Sequence, residues 1–243
     1  MKTSLITLMS IFLFAFTCEG DKKENQQLNS LEKEALELTR EAGLKAEDFK
    51  NKIDELLTLE IAAQVANLPA NEAKKKHNTA IMESVKYEWK SDRTKKLEVT
   101  KGNFIDIPLP NAIELSWVKN TTLEQFKHDY HNPTAEEIKN AEVAMNNKAK
   151  ELNAEGKASK EQTDAANTIA KGSISKFKVE EVPNLGTYAV FVNSGIMGVS
   201  TRDLKVFYKG LSFTLGIDLS DDVTFNDKKA IETAKMIIEQ KLK

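Results

Sequence analysis

Residues 204–219, LKVFYKGLSFTLGIDL, decide the fold because they form the clearest pair of β-strands in the sequence. Apolar and polar residues alternate on both sides of Lys209-Gly210, and glycine readily adopts the positive φ that a two-residue hairpin turn requires. The apolar positions of the second strand are Phe213, Leu215, Ile217 and Leu219. This pattern predicts an antiparallel hairpin with one buried face and one face in water.

The segment that follows the hairpin predicts an amphipathic helix from about Asn226 to the end of the chain. Its apolar face carries Ala230, Ile231, Ala234, Ile237, Ile238 and Leu242. Because a helix with one apolar stripe must bury it against another element, we expect this helix to pack on the hairpin.

The rest of the chain alternates between helical and strand periods. Strands are predicted near residues 85–89, 97–100, 113–117 and 187–192, whereas the prolines of IDIPLP at 105–110 favour an edge or a loop. Helices are predicted at 29–43 and 49–68, a short helix is predicted over TTLEQFKHDYH at 121–131, and a helical hairpin is inserted at 134–171. In the hairpin, Thr134 and Glu137 predict a capping box at the start of the first helix. The predicted apolar stripe of the first helix is Ile138, Ala141, Met145, Ala149 and Leu152, and that of the second helix is Ala165, Ala166, Ile169 and Ala170. The fold class is therefore α+β: an antiparallel sheet of about five strands, with N- and C-terminal helices packed on it, in one domain over residues 29–243.

The N-terminus is predicted to carry a targeting signal. Residues 5–16 form an apolar run that stops just before Cys18, and the charged stretch EGDKKE follows at 19–24. The run is too short for a mature membrane-spanning helix, which takes about 20 residues, and has the length of the apolar core of a signal peptide. We expect a signal peptide at 1–17 and a flexible tether at 18–28.

The sequence around Cys18, Ala15-Phe16-Thr17-Cys18, resembles the lipobox of bacterial lipoproteins. The resemblance implies that Cys18 is lipidated and becomes the first residue of the mature, membrane-bound protein. Phe16 and Thr17 depart from the tightest form of the motif, which leaves cleavage by the ordinary signal peptidase open. Glu19, in place of the aspartate of an inner-membrane retention signal, favours the outer membrane of a bacterial envelope. EGDKKE also resembles surface-export signals of Bacteroidetes, so the membrane face stays open.

Two longer stretches, at about 53–118 and 179–242, resemble secreted lipoprotein domains with a PsbP-like fold. The resemblance rests on the apolar patterns of LLTLEIAAQVANLP, VKYEW, TYAVFV, LKVFYKGLSFTLGIDL and KAIETAKMIIEQKL. The resemblance implies an antiparallel sheet flanked by N- and C-terminal helices. It does not identify any catalytic residue in this sequence.

Composition excludes several classes of function. The chain has 35 basic and 37 acidic residues, so it lacks the excess of basic residues that is typical of proteins that bind nucleic acid. Cys18 is the only cysteine, which excludes an intrachain disulfide and a thiolate zinc site. We expect no catalytic residue, no cofactor and no metal site.

Two polar clusters are nevertheless candidates for metal binding. His128 and His131 are three residues apart, with Glu124 four residues before His128, so a metal-dependent hydrolase is conceivable if all three share a helical face. The predicted end of the helix before Asn132-Pro133 favours two exposed imidazoles instead. The acidic stretch DLSDDVTFND at 218–227 could hold calcium, but it lacks the EF-hand spacing and is more typical of helix capping.

Two sets of apolar residues are candidates for ligand or partner contact. Residues 193–203 are predicted as a long loop between strands, and its Ile196 and Met197 could contact a partner. The aromatic residues at strand period could stack on a sugar or peptide, although such positions are more often core: Tyr87, Trp89, Trp117 and Phe207.

The sequence therefore predicts a lipoprotein tethered through Cys18, acting as a non-enzymatic binding or envelope-assembly module. Its partner would be an envelope protein or a small ligand. The alternatives are a small-ligand carrier with a pocket between the sheet and the C-terminal helix, and the hydrolase built on His128 and His131.

Overall fold

The computed structural model describes residues 44–79, 83–100, 102–196 and 199–243. The signal segment, Cys18, the predicted helix at 29–43 and Met197 lie outside the described residues. Nine strands are described: β1 Lys74–Asn78, β2 Ser84–Trp89, β3 Thr94–Thr100, β4 Asn103–Pro108, β5 Asn111–Asn120, β6 Lys178–Glu181, β7 Tyr188–Ile196, β8 Val199–Tyr208 and β9 Leu211–Asp218. The described α-helices are α1 Leu59–Ala66, α2 Leu123–Asp129, α3 Ala135–Ala154, α4 Lys160–Lys176 and α5 Val223–Lys241.

The fold is α+β, as predicted, but the antiparallel sheet has seven strands instead of about five. Their order is β1-β2-β5-β9-β8-β7-β6, and β3 pairs with β4 in a separate two-stranded sheet. The two strands that sequence analysis missed, β1 (KKKHN) and β6 (KVEE), are the edges of the large sheet. Edge strands are often charged, because lysine-rich edges discourage pairing with other chains, so they need not show apolar alternation.

The predicted hairpin is confirmed, with Tyr208 paired to Leu211 across a two-residue turn. Lys209 and Gly210 both have positive φ, 48° and 82°. Two successive positive φ values are typical of a type I′ turn, whose twist matches that of the strands it joins.

The prediction that the C-terminal helix packs on this hairpin is also confirmed. α5 begins at Val223, where Asp222 caps it by accepting a hydrogen bond from the amide of Thr224. Side chains from α5, α1 and the sheet meet in one cluster. Those that α5 contributes are Ala230, Ala234, Ile237 and Ile238, and Leu242, directly after the helix, joins them. This packed core occupies the space between sheet and helix where a carrier's pocket was expected.

The opposite face of the hairpin is not simply exposed to solvent, which corrects the prediction that this face lies in water. Ser212 and Thr214 on β9 are buried, as is Ser116 opposite Thr214 on β5. α2 contributes to this side, since the ring of Phe126 packs against those of Tyr188 and Phe207. The central strands are therefore buried on both faces.

The inserted helical hairpin is present as α3 and α4. Thr134 and Glu137 form the predicted capping box at the start of α3. The helices are antiparallel, because Asn146 contacts Asn167 while Asn153, further along α3, contacts the earlier Thr163. The stripe of α3 is confirmed by its buried residues, Met145, Ala149 and Leu152. On α4 the packed residues are Ala166, Ala170 and Ile174, whereas the predicted Ala165 and Ile169 are exposed.

Helical segments near residue 50 are shorter than predicted. Residues 46–49 and 53–55 form single 3₁₀ turns, and α1 ends at Ala66, because Asn67 adopts a left-handed conformation with φ 54°. Among the described residues, no helix combines the length and apolar character needed to cross a bilayer.

The chain divides into two compact units. The larger includes residues 44–128, Glu180–Phe191 and Asp203–Lys243, and the smaller includes Asp129–Val179 and Val192–Arg202. Within the smaller unit, the side-chain amide of Asn132 forms two hydrogen bonds with the backbone of Val179, at 2.8 and 2.7 Å.

Tyr87 provides a pH-dependent test of the larger unit's core. It is 3% exposed, and burial, together with the charges of Asp54 and Glu60, raises its pKa to about 12. Above pH 10 the unfolded chain loses this proton while the folded chain keeps it, so the free energy of unfolding falls as pH rises. Tyr87→Phe should remove a slope of about 1.4 kcal/mol per pH unit between pH 10 and 12. Urea denaturation of both proteins at several pH values measures it, with pH 8 as the reference; identical slopes would contradict the assignment.

Candidate functional site

One side chain at the end of β5 binds the first described residues of the larger unit. Asn120 accepts a hydrogen bond from the amide of Ala46 at 3.0 Å and donates to the carbonyls of Leu44 and Gly210, both at 3.2 Å. The start of the described chain is therefore tied to the end of β5 and to the turn between β8 and β9.

Trp117 lies three residues before Asn120, and its conformation is unusual. Its side chain is 53% exposed and its φ is 55°. Pairing between β5 and β9 shifts register between Ser116 and Lys119, so Trp117 lies in a β-bulge. A bulky residue with positive φ is an outlier, and bulges often redirect a side chain near functional sites. The sequence expectation that Trp117 continues the buried row of Ile113 and Leu115 is wrong.

The other three aromatic candidates are core residues. Tyr87, Trp89 and Phe207 are each at most 5% exposed. The indole of Trp89 donates a hydrogen bond to the carbonyl of Pro69 at 2.9 Å. Of the four aromatic side chains considered for stacking, the structure thus exposes Trp117 alone.

Exposed lysines surround the end of the sheet that carries Trp117. Lys45, Lys50 and Lys52 lie in the segment after Leu44, and Lys209 lies in the β8–β9 turn. Glu47 and Asp48 are the exposed acids of residues 44–53, so lysines outnumber carboxylates there. The carboxylate of Glu83 also lies at this end, where it accepts hydrogen bonds from the amides of Asn51 and Ile53, so the charges near Asn120 are mixed.

A buried lysine lies on the second face of the sheet. Lys205, on β8, pairs in register with Thr214 and is 9% exposed. Burial lowers its pKa, although the carboxylate of Asp203, 3.3 Å from Nζ, opposes that shift. Ser116, Thr214 and Lys205 thus form a polar row across three strands, in a region that sequence analysis assigned to solvent.

The acidic stretch after β9 serves structural roles. The guanidinium of Arg93 donates to Asp218 Oδ1 at 2.8 Å, to Asp221 Oδ1 at 3.2 Å and to the Asp218 carbonyl at 2.8 Å. It also donates to Asn111 and to the carbonyl of Pro110. Asp222 caps α5, which agrees with the capping interpretation of this stretch. Within the described part of the chain, no group of three or more His, Cys, Asp or Glu residues is placed to hold a metal ion.

The two histidines of HDYH do not share a helix, because α2 ends at Asp129. His128 lies in its last turn, whereas His131 lies beyond it and contacts Glu137 at 3.0 Å. Hydrogen bonds from the backbone of Thr134 and from His131 hold the pKa of Glu137 at about 2. His131 therefore extends the capping box of α3.

The predicted long loop at 193–203 is wrong, because β7 continues to Ile196 and β8 begins at Val199. The polar residues that suggested a loop are accommodated between strands: Arg202 donates a hydrogen bond to Asn193 Oδ1 at 2.8 Å. Ile196 is the last residue of β7 and Met197 lies outside the described residues, so a partner-contact role for them stays a prediction.

A polar groove runs along the helical hairpin of the smaller unit, with a volume of about 720 Å³. Its lining includes the side chains of Asn146, Asn153, Thr163 and Asn167. Asn167 Oδ1 is buried and accepts no hydrogen bond, and it is the one such side-chain atom in the described ranges. Sequence analysis missed this groove, since its asparagines resemble any solvated helix surface.

Comparisons with protein-family models, with curated proteins and with solved structures found no match.

Proposed function

We propose that this chain is a non-enzymatic binding or assembly module of the bacterial cell envelope, anchored to a membrane by lipid on Cys18. The observation that carries the proposal is the abrupt change at Cys18, where an apolar run of signal-peptide length gives way to charged residues. Glu19 makes the outer membrane the preferred location. The predicted partner is an envelope protein or a small ligand, and nucleic acid is not among the partners.

The length of the proposed tether is consistent with this arrangement. The segment at 18–28 would span at most roughly 40 Å at full extension, so it would keep the domain that follows it close to the membrane.

Binding, as opposed to catalysis, is supported by where the unusual residues lie. Trp117 is exposed in a strained conformation, and strain of this kind persists where surrounding structure or function maintains it. Several of the conceivable catalytic groups take part in structural contacts: His131 contacts Glu137 of the capping box, Asp218 binds Arg93, and Asp222 caps α5.

The small-ligand alternative is supported by one observation, the groove of the helical hairpin. Its unsatisfied Asn167 Oδ1 costs stability, which a hydrogen-bond donor on a polar ligand would recover. Such a ligand would bind between α3 and α4, because packed core fills the space between the sheet and α5.

Metabolic labelling with a radiolabelled fatty acid tests the anchor. Wild-type protein should carry label and fractionate with membranes, whereas Cys18→Ala should carry none, because the sole thiol is removed. Cys18→Ala should also be released from membranes or stall in processing. Ser10→Ala, a conservative change within the apolar run, is the matched control and should be labelled like the wild type. An unlabelled wild-type protein would refute lipid attachment.

A further inference from the structure

Asn167 is the residue of the α3–α4 groove whose hydrogen bonding is incomplete. Its Oδ1 is buried and accepts no hydrogen bond, and its Nδ2 donates to Asn146 Oδ1 at 3.5 Å, longer than a typical N–H···O bond. Asn153 and Thr163, which also line the groove, bind each other at 3.2 and 3.3 Å. The amide of Asn167 is therefore weakly held, and turning it toward the groove would cost little.

The lining of the groove is mostly polar, which favours a polar ligand. The apolar residues that line it are two alanines, Ala149 and Ala158. Its volume of about 720 Å³ lies within the range of small-molecule sites, roughly 300–1,000 Å³. An apolar ligand would cover the amides and hydroxyls without replacing their hydrogen bonds to water, which is unfavourable.

The charges in the groove favour a ligand without net charge. The charged residues that line it are Lys150, Lys160 and Asp164, all of them exposed. A ligand with acceptors alone, such as phosphate or a carboxylate, could not donate to Asn167 Oδ1. A cation would be repelled by two ammonium groups and attracted by one carboxylate.

Hydroxyl groups match the remaining chemistry of the groove. An asparagine side chain presents an acceptor oxygen beside an NH₂ donor, and Asn146, Asn153 and Asn167 all line the groove. A hydroxyl donates and accepts at once, and its hydrogen rotates to suit its partner. Adjacent hydroxyls on a sugar ring can therefore bind both ends of one side-chain amide.

We propose that the groove between α3 and α4 binds a neutral saccharide, and that Asn167 turns its amide to meet the sugar hydroxyls. Oδ1 of Asn167 then accepts the hydrogen bond that it lacks in this structure. The inference deepens the small-ligand alternative of the proposed function and rests on it. It does not depend on the lipid anchor at Cys18.

Isothermal titration calorimetry of the full chain tests the inference, with maltotriose, cellotriose and tri-N-acetylchitotriose as probes. An amine-oxide detergent, which has no sugar headgroup, keeps the apolar N-terminal run in solution. At least one of the three saccharides should bind saturably at millimolar concentration. Asn167→Ala should weaken that binding about tenfold, the effect of losing one or two hydrogen bonds.

Thermal denaturation distinguishes a binding role of Asn167 from a structural one. Asn167→Ala should not lower the unfolding midpoint, because it removes a buried acceptor that has no donor and introduces a better helix former. Asn146→Ala, at an exposed position of the groove, should also weaken binding and keeps the test decisive if Asn167→Ala fails to fold. Asn147→Ala is the matched control, since Asn147 is exposed on α3 outside the lining and should leave binding unchanged.

Three outcomes would overturn the inference. None of the three saccharides might give a heat of binding, or Asn167→Ala and Asn146→Ala might both bind like the wild type, which would place the sugar elsewhere. Trialanine, whose amides also donate and accept, is the comparison probe: if it binds and the saccharides do not, the small-ligand alternative stands and the saccharide is wrong. Fatty-acid labelling at Cys18 reports on the anchor alone, so its failure is separate from each of these results.

Discussion

Replacing Ile237 with alanine should lower the free energy of unfolding by about 2–5 kcal/mol, as buried large-to-small substitutions do. Ile237 is 0% exposed on α5 and belongs to the cluster that contains Phe213 and Leu215 of β9. Truncation removes apolar contacts and leaves a cavity that close-packed neighbours fill only in part. Urea denaturation monitored by circular dichroism measures the change.

Lys235→Ala is the matched control on the same helix. Lys235 is exposed, and alanine favours helix at least as well as lysine, so its unfolding midpoint should stay close to that of the wild type. If Ile237→Ala also left the midpoint unchanged, α5 would contribute little to the core. Its apolar stripe would then be the leading candidate for a partner surface.

Gly186→Ala should destabilise the protein by about 2–5 kcal/mol, combining a left-handed backbone penalty with a steric clash. The φ of Gly186 is 62°, and a Cβ there would lie 2.7 Å from the carbonyl oxygen of Phe207. That oxygen already accepts a hydrogen bond from the amide of Thr187 at 2.9 Å, so the backbone of β8 cannot move away without weakening it.

Gly102→Ala separates the two contributions. Gly102 also has a positive φ, 81°, but a Cβ there would meet no atom within 4 Å. Its substitution should cost only about 1–2 kcal/mol, the backbone term alone. Equal losses for the two variants in thermal or urea denaturation would contradict a clash at Gly186.

Residues 204–219 show how much a local pattern can predict. Alternation over two strands and a Lys-Gly turn defined the hairpin and its register, and the stripe that includes Ile237 identified what covers it. Thr134 and Glu137 likewise marked the start of α3, because a capping box involves residues only three positions apart.

The candidate site shows the limits of the same approach. The sequence places Trp117 in phase with Ile113 and Leu115, and only the pairing of β5 with β9 introduces the bulge that exposes it. Asn120 is equally uninformative in sequence, since its three backbone partners lie 74, 76 and 90 residues away.

The sequence by itself determined the features that depend on neighbouring residues: the β8–β9 hairpin, the capped helices, the amphipathic C-terminal helix and the change of character at Cys18. Tertiary structure decided the number of strands, the burial of Ser212 and Thr214 on the second face, and the exposure of Trp117. Turn and helix signals act over a few residues, whereas edge position, burial and bulges depend on strands that are distant in sequence. The same side-chain pattern is therefore compatible with several environments until those strands pair.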